Sequence, residues 1–249
     1  MKMTGNTIFI TGGGSGIGRG LAEAFHKRGN QIIISGRRKK NLADTVKANP
    51  GMESIELDVQ DAESISAVAK ELAQKFPELN VLINNAGIMQ IDDVSGPVDD
   101  AVAVSTITTN LLGPIRLTSA LVGHLKQQKT SAIINMSSVL GFVPLAMSAV
   151  YSSTKAAMHS YSLSLRHKLR HSPVEVIEIA PPWVQTDLLN SNNEPRAMPL
   201  ADFIHETMAL LDSDQKEIVV ERGRQLRHNV GRSEGDFVTQ FNEMMEQPQ

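Results

Sequence analysis

The chain contains no cysteine, which excludes a disulfide scaffold and a thiolate metal site. It also lacks any apolar run near the ~20 residues that a membrane-spanning helix needs, so we expect no membrane partner. Neither sign of charge predominates, since the formal net charge is −3, and we expect no nucleic acid partner. Residues 1–6 lead directly into a β-favouring run and leave no room for a signal peptide. Together these absences predict a soluble, cytoplasmic protein.

Short apolar runs alternate with segments of helical periodicity, and 249 residues can bury one sizeable core. This alternation predicts an α/β fold: a Rossmann-like, doubly wound, parallel sheet of about seven strands, with helices on both faces, in a single domain over residues 1–249. The predicted strands cover residues 7–10, 31–35, 54–57, 81–83, 132–136, 174–179 and 217–220. The predicted helices cover residues 18–28, 38–47, 61–76, 99–129, 149–171 and 200–211, with Asp61 as an N-cap. Residues 190–199 and the tail from about Arg222 look irregular.

A glycine-rich turn follows the first predicted strand. Thr11 to Gly18 reads TGGGSGIG, and a helical pattern follows it. Glycine allows positive φ and close approach of a pyrophosphate, while a helix N-terminus offers free N–H groups and a positive dipole. Strand, glycine turn and helix in this order predict a dinucleotide site, although the strict G-x-G-x-x-G spacing is absent. A turn without a ligand is the alternative, and five glycines in seven residues argue against it.

A tyrosine and a lysine stand four residues apart, as Tyr151 and Lys155, and Ser138 lies 13 positions upstream of the tyrosine. On a helix this spacing puts the phenol and the ammonium group on one face. We expect the nearby cation to lower the pKa of the tyrosine, which then exchanges a proton with an alcohol or carbonyl oxygen. The Tyr-x-x-x-Lys spacing alone also occurs by chance on surface helices.

These features together resemble the short-chain dehydrogenase/reductase family. Its cofactor turn, T-G-x-x-x-G-x-G, matches Thr11 to Gly18, and its N-N-A-G signature matches residues 84–87. The matches keep the family's order and spacing over roughly residues 7 to 190. The resemblance implies a catalytic set of Asn110, Ser138, Tyr151 and Lys155.

The same motifs predict where the cofactor binds. In open parallel sheets, ligands bind at the carboxyl ends of the strands, near the point where strand order reverses. The glycine turn, Asp58, Asn84, Ser138 and Pro181 each follow a predicted strand, so residues far apart in sequence should converge there. With the resemblance, this implies contacts to the cofactor from Gly12, Gly14, Ser15, Gly16, Ile17, Gly18, Arg37, Asp58, Val59, Asn84, Ala86, Gly87, Tyr151, Lys155, Pro181, Val184 and Thr186.

The end of the second strand indicates the type of cofactor. Gly36 stands where NAD-dependent members carry an acidic residue for the ribose hydroxyls. Arg37 follows it and offers a guanidinium that suits a 2′-phosphate, so we expect NADP(H), with NAD as the other possibility. Arg38, Lys39 and Lys40 are expected to form a solvated helix start. One departure is Ser15, since some NADP-dependent relatives carry a basic residue at that position.

The resemblance also implies a role for each catalytic residue. Tyr151 would be the general acid in reduction and the general base in oxidation. Lys155 would lower the pKa of Tyr151 and hold the nicotinamide ribose, Ser138 would hydrogen-bond the substrate oxygen, and Asn110 would order a water. We expect no metal ion, because proton transfer and hydrogen bonding polarise the substrate. His159, His167 and His171 are expected on the surface of the tyrosine helix.

The substrate is less well defined. The family usually has Pro-Gly after the sixth strand, and here Pro181 and Pro182 make a stiffer loop. Residues of about 188–212 are expected to form a lid over the substrate. The expected pocket is mostly apolar, which favours an aliphatic or aromatic small molecule. Its predicted lining is Met89, Ile91, Val139, Leu140, Phe142, Met147, Trp183 and Leu188.

The end of the chain departs from the common family pattern and resembles a bacterial subgroup that contains DltE-type oxidoreductases. Residues of about 222–249 form an extension in which Phe237, Phe241, Met244 and Met245 recur at helical spacing. It either packs on its own domain or contributes to a dimer, with Phe241 and Met245 on the buried face. The family likeness implies a homodimer or homotetramer built through the helices near residues 99–129 and 149–171.

The sequence leaves three functional hypotheses. The first is an NADP-dependent oxidoreductase acting on CH–OH or C=O groups, which the complete catalytic set supports. The second is a nicotinamide-binding regulator, which would be expected to have lost the tyrosine or the lysine. The third is a non-redox lyase, which would no longer need the cofactor turn.

Overall fold

A single parallel sheet forms the centre of the protein, in a computed structural model that describes residues 1–228 and 233–246. Its strands are β1 (Thr7–Thr11), β2 (Gln31–Gly36), β3 (Glu53–Glu56), β4 (Leu79–Asn84), β5 (Ser131–Met136), β6 (Val174–Ile179) and β7 (Glu217–Ile218). Their order in the sheet is β3-β2-β1-β4-β5-β6-β7, and all neighbouring pairs are parallel. The predicted doubly wound fold is confirmed. Strand order reverses between β1 and β4, which places a ligand crevice at their carboxyl ends.

Helices cover both faces of the sheet. They are α1 (Gly16–His26), α2 (Lys39–Ala48), α3 (Ala62–Lys75), α4 (Asp100–Ile107), α5 (Gly113–Leu125), α6 (Ala149–Leu169), α7 (Leu200–Leu211), α8 (Glu221–His228) and α9 (Glu234–Glu246). The predicted N-cap of α3 is confirmed, because the Asp61 carboxylate accepts a hydrogen bond of 2.8 Å from the backbone N–H of Glu63. No helix within the described residues is long and apolar enough to span a bilayer.

Side chains of β1 alternate between two hydrophobic clusters, as expected for a strand covered on both faces. Ile8 and Ile10 pack in the cluster that includes α1 and α7, whereas Phe9 packs in the cluster that includes α3 and α5. All three side chains are fully buried. Helices therefore pack on both faces of β1, the strand that leads into the glycine turn.

The segment predicted as one helix over residues 99–129 is divided by a π-helical turn, Thr108–Leu112. An α-helix would require the N–H of residue 114 to reach the carbonyl of residue 110, and Pro114 has no N–H. The wider turn forms where this bond is impossible. Single π-turns are frequent at functional sites, and this one contains Asn110.

The C-terminal extension, expected to look irregular from Arg222, instead forms α8 and α9. Phe241 is 9% exposed and packs against the loop after β5, and Met245 is partly buried beside it. Met244, at 56% exposure, faces away. The described part of the extension thus packs on its own domain, which is the first of the two alternatives, and Phe241 and Met245 lie on the face that packs there. Residues 229–232 and 247–249 of the predicted extension lie outside the described residues.

The predicted lid consists of two different parts. Residues Leu188–Asn193 form an exposed 3-10 turn in which Leu189 and Asn190 have positive φ. α7, by contrast, is anchored: Phe203 is fully buried, and Ile204 lies against Gly20 of α1. The exposed, irregular character that a lid requires is confined to the part around Leu188–Asn193, because Ala197 and Met198 are buried and Met198 forms a bridge with Val184.

We expect Phe241→Ala to lower the free energy of unfolding by about 2–4 kcal/mol, because it removes a buried ring from the packing of α9 on the domain. Urea denaturation of the full chain measures this. Met244→Ala, on the exposed side of the same helix, should change it by less than about 0.5 kcal/mol. Equal effects of the two variants would contradict the packing of α9.

Candidate active site

The glycine turn between β1 and α1 is built for close backbone approach. Gly12 and Gly16 have positive φ values of 69° and 51°. A Cβ atom on Gly18 would lie 2.4 Å from the Gly12 carbonyl oxygen and 2.4 Å from the side-chain nitrogen of Asn85. The Ser15 side chain makes no capping hydrogen bond to α1, so it leaves the backbone N–H groups in the first turn of that helix unoccupied by its own oxygen. The turn has the conformation of a phosphate cradle.

The end of β4 is tied directly to this turn. The Thr11 hydroxyl accepts hydrogen bonds of 3.0 Å from the backbone N–H groups of both Asn85 and Ala86. The Asn85 amide in turn donates to the Thr11 carbonyl at 2.9 Å. These bonds fix the two strand ends that flank the point where strand order reverses.

Asn84 lies elsewhere than its predicted role requires. Its amide nitrogen donates to Thr118 of α5 at 3.1 Å and to Asn135 of β5 at 2.9 Å, and the residue is only 3% exposed. Successive side chains of a strand point to opposite faces of the sheet, and the bond to Thr118 shows that the Asn84 side chain lies on the face that α5 covers. Its geometry is that of a tie between β4, β5 and α5 rather than of a side-chain contact in the crevice.

Asp58 and Val59 follow β3 in a tight turn. The Asp58 carboxylate accepts a hydrogen bond of 3.0 Å from the backbone N–H of Gln60, so one oxygen shapes its own loop. Val59 is buried at 8% exposure, and its carbonyl lies against Gly113 at the start of α5. Asp58 remains partly accessible beside the crevice.

The predicted catalytic residues converge in the structure. Tyr151 and Lys155 lie on one face of α6, with the ammonium nitrogen 5.4 Å from the centre of the phenol ring. Ser138, at the carboxyl end of β5, hydrogen-bonds the tyrosine hydroxyl. The Lys155 ammonium donates to the Met136 carbonyl at 2.9 Å. All three side chains are buried, at 5–7% exposure.

The expected lowering of the tyrosine pKa is not what the structure gives. Burial raises the pKa of Tyr151 to about 12, because a phenolate is poorly solvated there, and the hydrogen bond with Ser138 opposes this only partly. Burial also lowers the pKa of Lys155 to about 8, while the negative charge of Glu178 acts in the opposite direction. The resting tyrosine therefore carries its proton.

Asn110 holds the loop after β4 beside the lysine. Its side-chain oxygen accepts from the Ile88 N–H at 2.9 Å, and its nitrogen donates to the Ile88 carbonyl at 2.8 Å. The same nitrogen lies 3.2 Å from the Thr154 hydroxyl of α6. This loop comes close to Asn110 and Lys155 at Gly87, since a Cβ there would lie 3.3 Å from the Asn110 oxygen and 3.8 Å from the Lys155 ammonium. Asn110 thus connects β4 to the tyrosine helix.

The loop after β6 closes over the glycine turn. Thr186 is 8% exposed, and its side chain would contact a Cβ placed on Gly16 at 3.5 Å. Val184 is also buried and forms a bridge with Met198. The Pro181 carbonyl accepts a long bond of 3.5 Å from the Ser138 hydroxyl. Pro181, Val184 and Thr186 therefore line the same edge of the sheet as the catalytic residues.

Arg38 is exposed, as expected, and its side chain also lies against the glycine turn. Its guanidinium donates to the Ser15 hydroxyl at 2.6 Å. Arg37, chosen from the sequence for phosphate contact, is exposed, with no such bond among the described contacts. The reason is the direction of α2, whose first turn crosses the glycine turn with Asn41 beside Gly14. Arg38 is the N-cap residue of α2 and is carried there with it.

The predicted substrate lining is also divided. Ile91, Met147 and Leu188 are exposed at 63%, 38% and 39%. Val139 and Phe142 are buried instead, and Phe142 packs in the cluster that includes Phe241 of α9. The remaining members, Met89, Leu140 and Trp183, are partly buried. Trp183 donates from its indole to the Ser191 hydroxyl at 2.8 Å and so holds the 3-10 turn.

One polar cluster was missed. His159, expected at the surface, hydrogen-bonds the Glu178 carboxylate of β6 at 2.8 Å. Glu178 is fully buried and also accepts a hydrogen bond from Ser137. The sequence carried one signal: β6 reads VEVIEI, with Glu178 between apolar residues near its carboxyl end, and His159 stands one helical turn after Lys155 on α6.

Comparison with known proteins agrees with this geometry. A family profile described as short chain dehydrogenase matches residues 6–197. The chain belongs to the short-chain dehydrogenase family. It is an oxidoreductase of that family, and one curated relative is an uncharacterized oxidoreductase, DltE, of Bacillus subtilis (strain 168), at 39% identity over 91% of this chain and 92% of the relative.

Solved structures share the fold of this short-chain dehydrogenase. A short-chain dehydrogenase from Burkholderia cenocepacia J2315, in complex with NADP, has a TM-score of 0.83 at 24% identity over 100% of both chains. A short-chain dehydrogenase/reductase from Burkholderia phymatum, in complex with NAD, has a TM-score of 0.82 at 20% identity over 100% of this chain and 98% of that chain. The fold therefore occurs with either dinucleotide.

We expect Gly18→Ala to lower the free energy of unfolding by about 1–3 kcal/mol, because the added methyl overlaps the Gly12 carbonyl and the Asn85 amide. Urea denaturation measures the change. The control is Gly123→Ala on α5, where nothing lies within 4 Å of the added Cβ. This control should gain about 0.5–1 kcal/mol from helix propensity. A neutral Gly18→Ala would show that the turn is not tightly packed.

Proposed function

We propose that this protein is an NADP(H)-dependent oxidoreductase that interconverts an alcohol and a carbonyl group on a mostly apolar small molecule. The observation that carries the proposal is the joint burial of Tyr151, Ser138 and Lys155 at the carboxyl edge of the sheet. Two of these side chains, the phenol of Tyr151 and the ammonium of Lys155, are titratable, and buried titratable groups with perturbed pKa values are typical of functional sites.

In reduction, Tyr151 gives its hydroxyl proton to the substrate oxygen. Its pKa of about 12 keeps that proton on the resting enzyme. Ser138 donates a hydrogen bond toward the same oxygen and stabilises the charge that develops there. Lys155 then stabilises the phenolate left behind, since its cation lies beside the ring. In oxidation the same residues act in reverse.

The glycine turn fits a dinucleotide. Gly12 and Gly18 let the turn pack tightly against Asn85, where any side chain would collide, and the first turn of α1 presents N–H groups to an anion. Gly12, Gly14, Gly16, Ile17 and Gly18 would hold the pyrophosphate. Asp58, Val59, Ala86 and Gly87 would line the adenosine side, and Lys155, Pro181, Val184 and Thr186 the nicotinamide side. A bound nicotinamide supplies the hydride chemistry.

The preference for NADP(H) is supported by Arg38 and Ser15. Gly36 leaves no carboxylate at the end of β2 to repel a 2′-phosphate. The guanidinium of Arg38 lies over the glycine turn, at 2.6 Å from the Ser15 hydroxyl. A guanidinium can bind a phosphate through two hydrogen bonds. We therefore assign the phosphate contact to Arg38, with Arg37 as the alternative from the sequence.

An apolar substrate is supported by the loops beside Tyr151. The Asp92 N–H donates to the Met147 carbonyl at 3.0 Å, which brings two exposed apolar side chains, Ile91 and Met147, to neighbouring loops. Leu188 and Leu189 on the 3-10 turn are exposed as well. A lid over residues 188–199 would cover a substrate with these side chains.

We also propose that the protein is cytoplasmic and that it forms a homo-oligomer. Val104 and Ile107 on α4 and Leu163 on α6 are 44–54% exposed, on the segments through which family members generally associate. Exposed apolar side chains clustered in this way favour a protein partner. The number of subunits is measured by sedimentation equilibrium.

The alternatives are a nicotinamide-binding regulator and a non-redox lyase. A screen of carbonyls with NADPH and of alcohols with NADP, followed at the nicotinamide absorbance, separates them. A regulator binds the cofactor without turnover on any substrate. A lyase turns over without nicotinamide.

We expect Tyr151→Phe to lower kcat by about 10²–10⁴-fold with little change in cofactor affinity, because only the hydroxyl transfers the proton. Tyr161→Phe on the same helix is the matched control and should retain activity. Steady-state kinetics on an active substrate and cofactor titration by fluorescence measure the two effects. Lys155→Ala should impair both, since Lys155 lies beside the tyrosine and would hold the nicotinamide ribose of a bound cofactor. Retention of more than a tenth of the activity in Tyr151→Phe would exclude the assigned role.

We expect Arg38→Leu to weaken NADPH binding by roughly one to two orders of magnitude and to leave NADH binding nearly unchanged, because one charge-assisted contact is lost. Arg37→Leu is the matched control. A larger loss in Arg37→Leu would return the phosphate contact to Arg37. The double change Gly36→Asp with Arg37→Leu should shift preference toward NADH through repulsion of the phosphate. Equal affinity of the wild type for NADH and NADPH would refute the preference.

A further inference from the structure

A line of polar groups continues from the catalytic pair into the sheet. Tyr151, Lys155 and His159 recur at intervals of four along α6, so they form one stripe on the helix face. Glu178 of β6 lies opposite the last member of the stripe and bonds to its Nδ1 at 2.8 Å. This arrangement brings a carboxylate to the inner side of the site.

Glu178 sits beside the peptide that holds the lysine. In the sheet its neighbour on β5 is Asn135, the residue before Met136. Met136 accepts the hydrogen bond from Lys155, and the next residue, Ser137, donates to the Glu178 carboxylate. The ammonium and the carboxylate are therefore held by adjacent groups of one strand. Glu178 has no exposure to solvent, so its charge is screened little by water.

A buried ammonium group and a buried carboxylate are each costly without a partner of opposite charge. Lys155 is 5% exposed, and the tyrosine beside it carries no charge while it is protonated. We propose that Glu178, oriented by His159 and Ser137, is the buried counter-charge that keeps Lys155 protonated and in position for the proton transfer. This positioning role rests on the function proposed above.

Charged groups from the surrounding elements extend this arrangement outward. Glu217 of β7 lies 3.9 Å from His159, and both of its oxygens accept hydrogen bonds from Arg227 of α8. The Arg227 guanidinium also lies 4.5 Å from the centre of the Phe142 ring, whose edge-on partner at 4.9 Å is His159. One ring nitrogen of His159 and one carboxylate oxygen each of Glu178 and Glu217 lie within 4.8 Å of one another. Arg227 supplies the counter-charge of Glu217, which leaves the charge of Glu178 to be balanced by Lys155.

The sign of the effect follows from the lysine. Burial lowers the pKa of Lys155 to about 8, and the charge of Glu178 raises it. Removal of that charge lowers the pKa of Lys155 further, so the ammonium is lost at a lower pH. If activity needs the ammonium, the alkaline limb of kcat/KM moves to lower pH with it.

The direct test is the pKa of Lys155 in the full chain labelled with ¹³Cε-lysine, followed by NMR without substrate or cofactor. Its resonance is identified as the one missing in Lys155→Arg. We expect Glu178→Gln to lower this pKa by roughly one pH unit or more. Glu175→Gln on the same strand also removes one carboxylate, from a site at 40% side-chain exposure, and should leave the Lys155 pKa unchanged.

Two variants at His159 test the proposal independently, at a position that is more tolerant than the fully buried Glu178. His159→Leu removes the hydrogen bond of 2.8 Å that orients the Glu178 carboxylate, so the negative charge is no longer held toward Lys155 and the pKa of Lys155 should fall. In His159→Asn the amide nitrogen takes the place of Nδ1, and the pKa of Lys155 should return toward that of the wild type.

The outcomes are distinct. A wild-type pKa of Lys155 in folded Glu178→Gln overturns the proposal. If Glu178→Gln does not fold, a wild-type value in folded His159→Leu overturns it. A lowered Lys155 pKa in Glu178→Gln, together with no wild-type turnover of any carbonyl or alcohol in the screen, supports the charge pairing and contradicts the proposed NADP(H)-dependent activity, because the NMR measurement needs no catalysis.

Discussion

Burial of the lysine ammonium is the constraint on which the architecture of the site depends. A charge taken out of water must be met by hydrogen bonds and by an opposite charge. The Met136 carbonyl supplies the first, and the negative charge of Glu178 supplies the second. Both come from neighbouring central strands, which are among the most rigid parts of such a sheet. The lysine is thus positioned by the sheet rather than by a loop.

The other half of the site depends on how β1 and β4 end. Asn85 and Ala86 both donate to the Thr11 hydroxyl, and the Asn85 amide donates to the Thr11 carbonyl. These short bonds join the glycine turn to the loop that contains Gly87 and, through Asn110, to the tyrosine helix. The glycine turn and the tyrosine helix are therefore parts of one hydrogen-bonded assembly at the carboxyl edge of the sheet.

The C-terminal helices α8 and α9 stabilise this assembly by packing against the segment between Ser138 and Tyr151. Arg227 of α8 holds Glu217 and covers the ring of Phe142, while Phe241 of α9 packs in the same cluster. Asn242 donates to the Pro144 carbonyl at 3.1 Å and so fixes the loop between Ser138 and Tyr151. A segment that adds nothing to the motifs of the family thus shapes the loop beside the catalytic residues.

The sequence by itself determined the α/β fold, the strand and helix order, the family and the convergence of Ser138, Tyr151 and Lys155. These follow from periodicity and from motifs that are local in the chain, and parallel strands bring their carboxyl ends to one edge whatever the details. Only the tertiary structure decided the environment of each side chain: that Arg38 rather than Arg37 reaches the glycine turn, that Asn84 lies beneath the sheet, and that His159 binds Glu178. Such outcomes depend on the direction of a helix or on burial between elements distant in sequence. For the same reason the pKa of Tyr151 is raised rather than lowered, because desolvation arises from the whole fold and outweighs the hydrogen bond with Ser138.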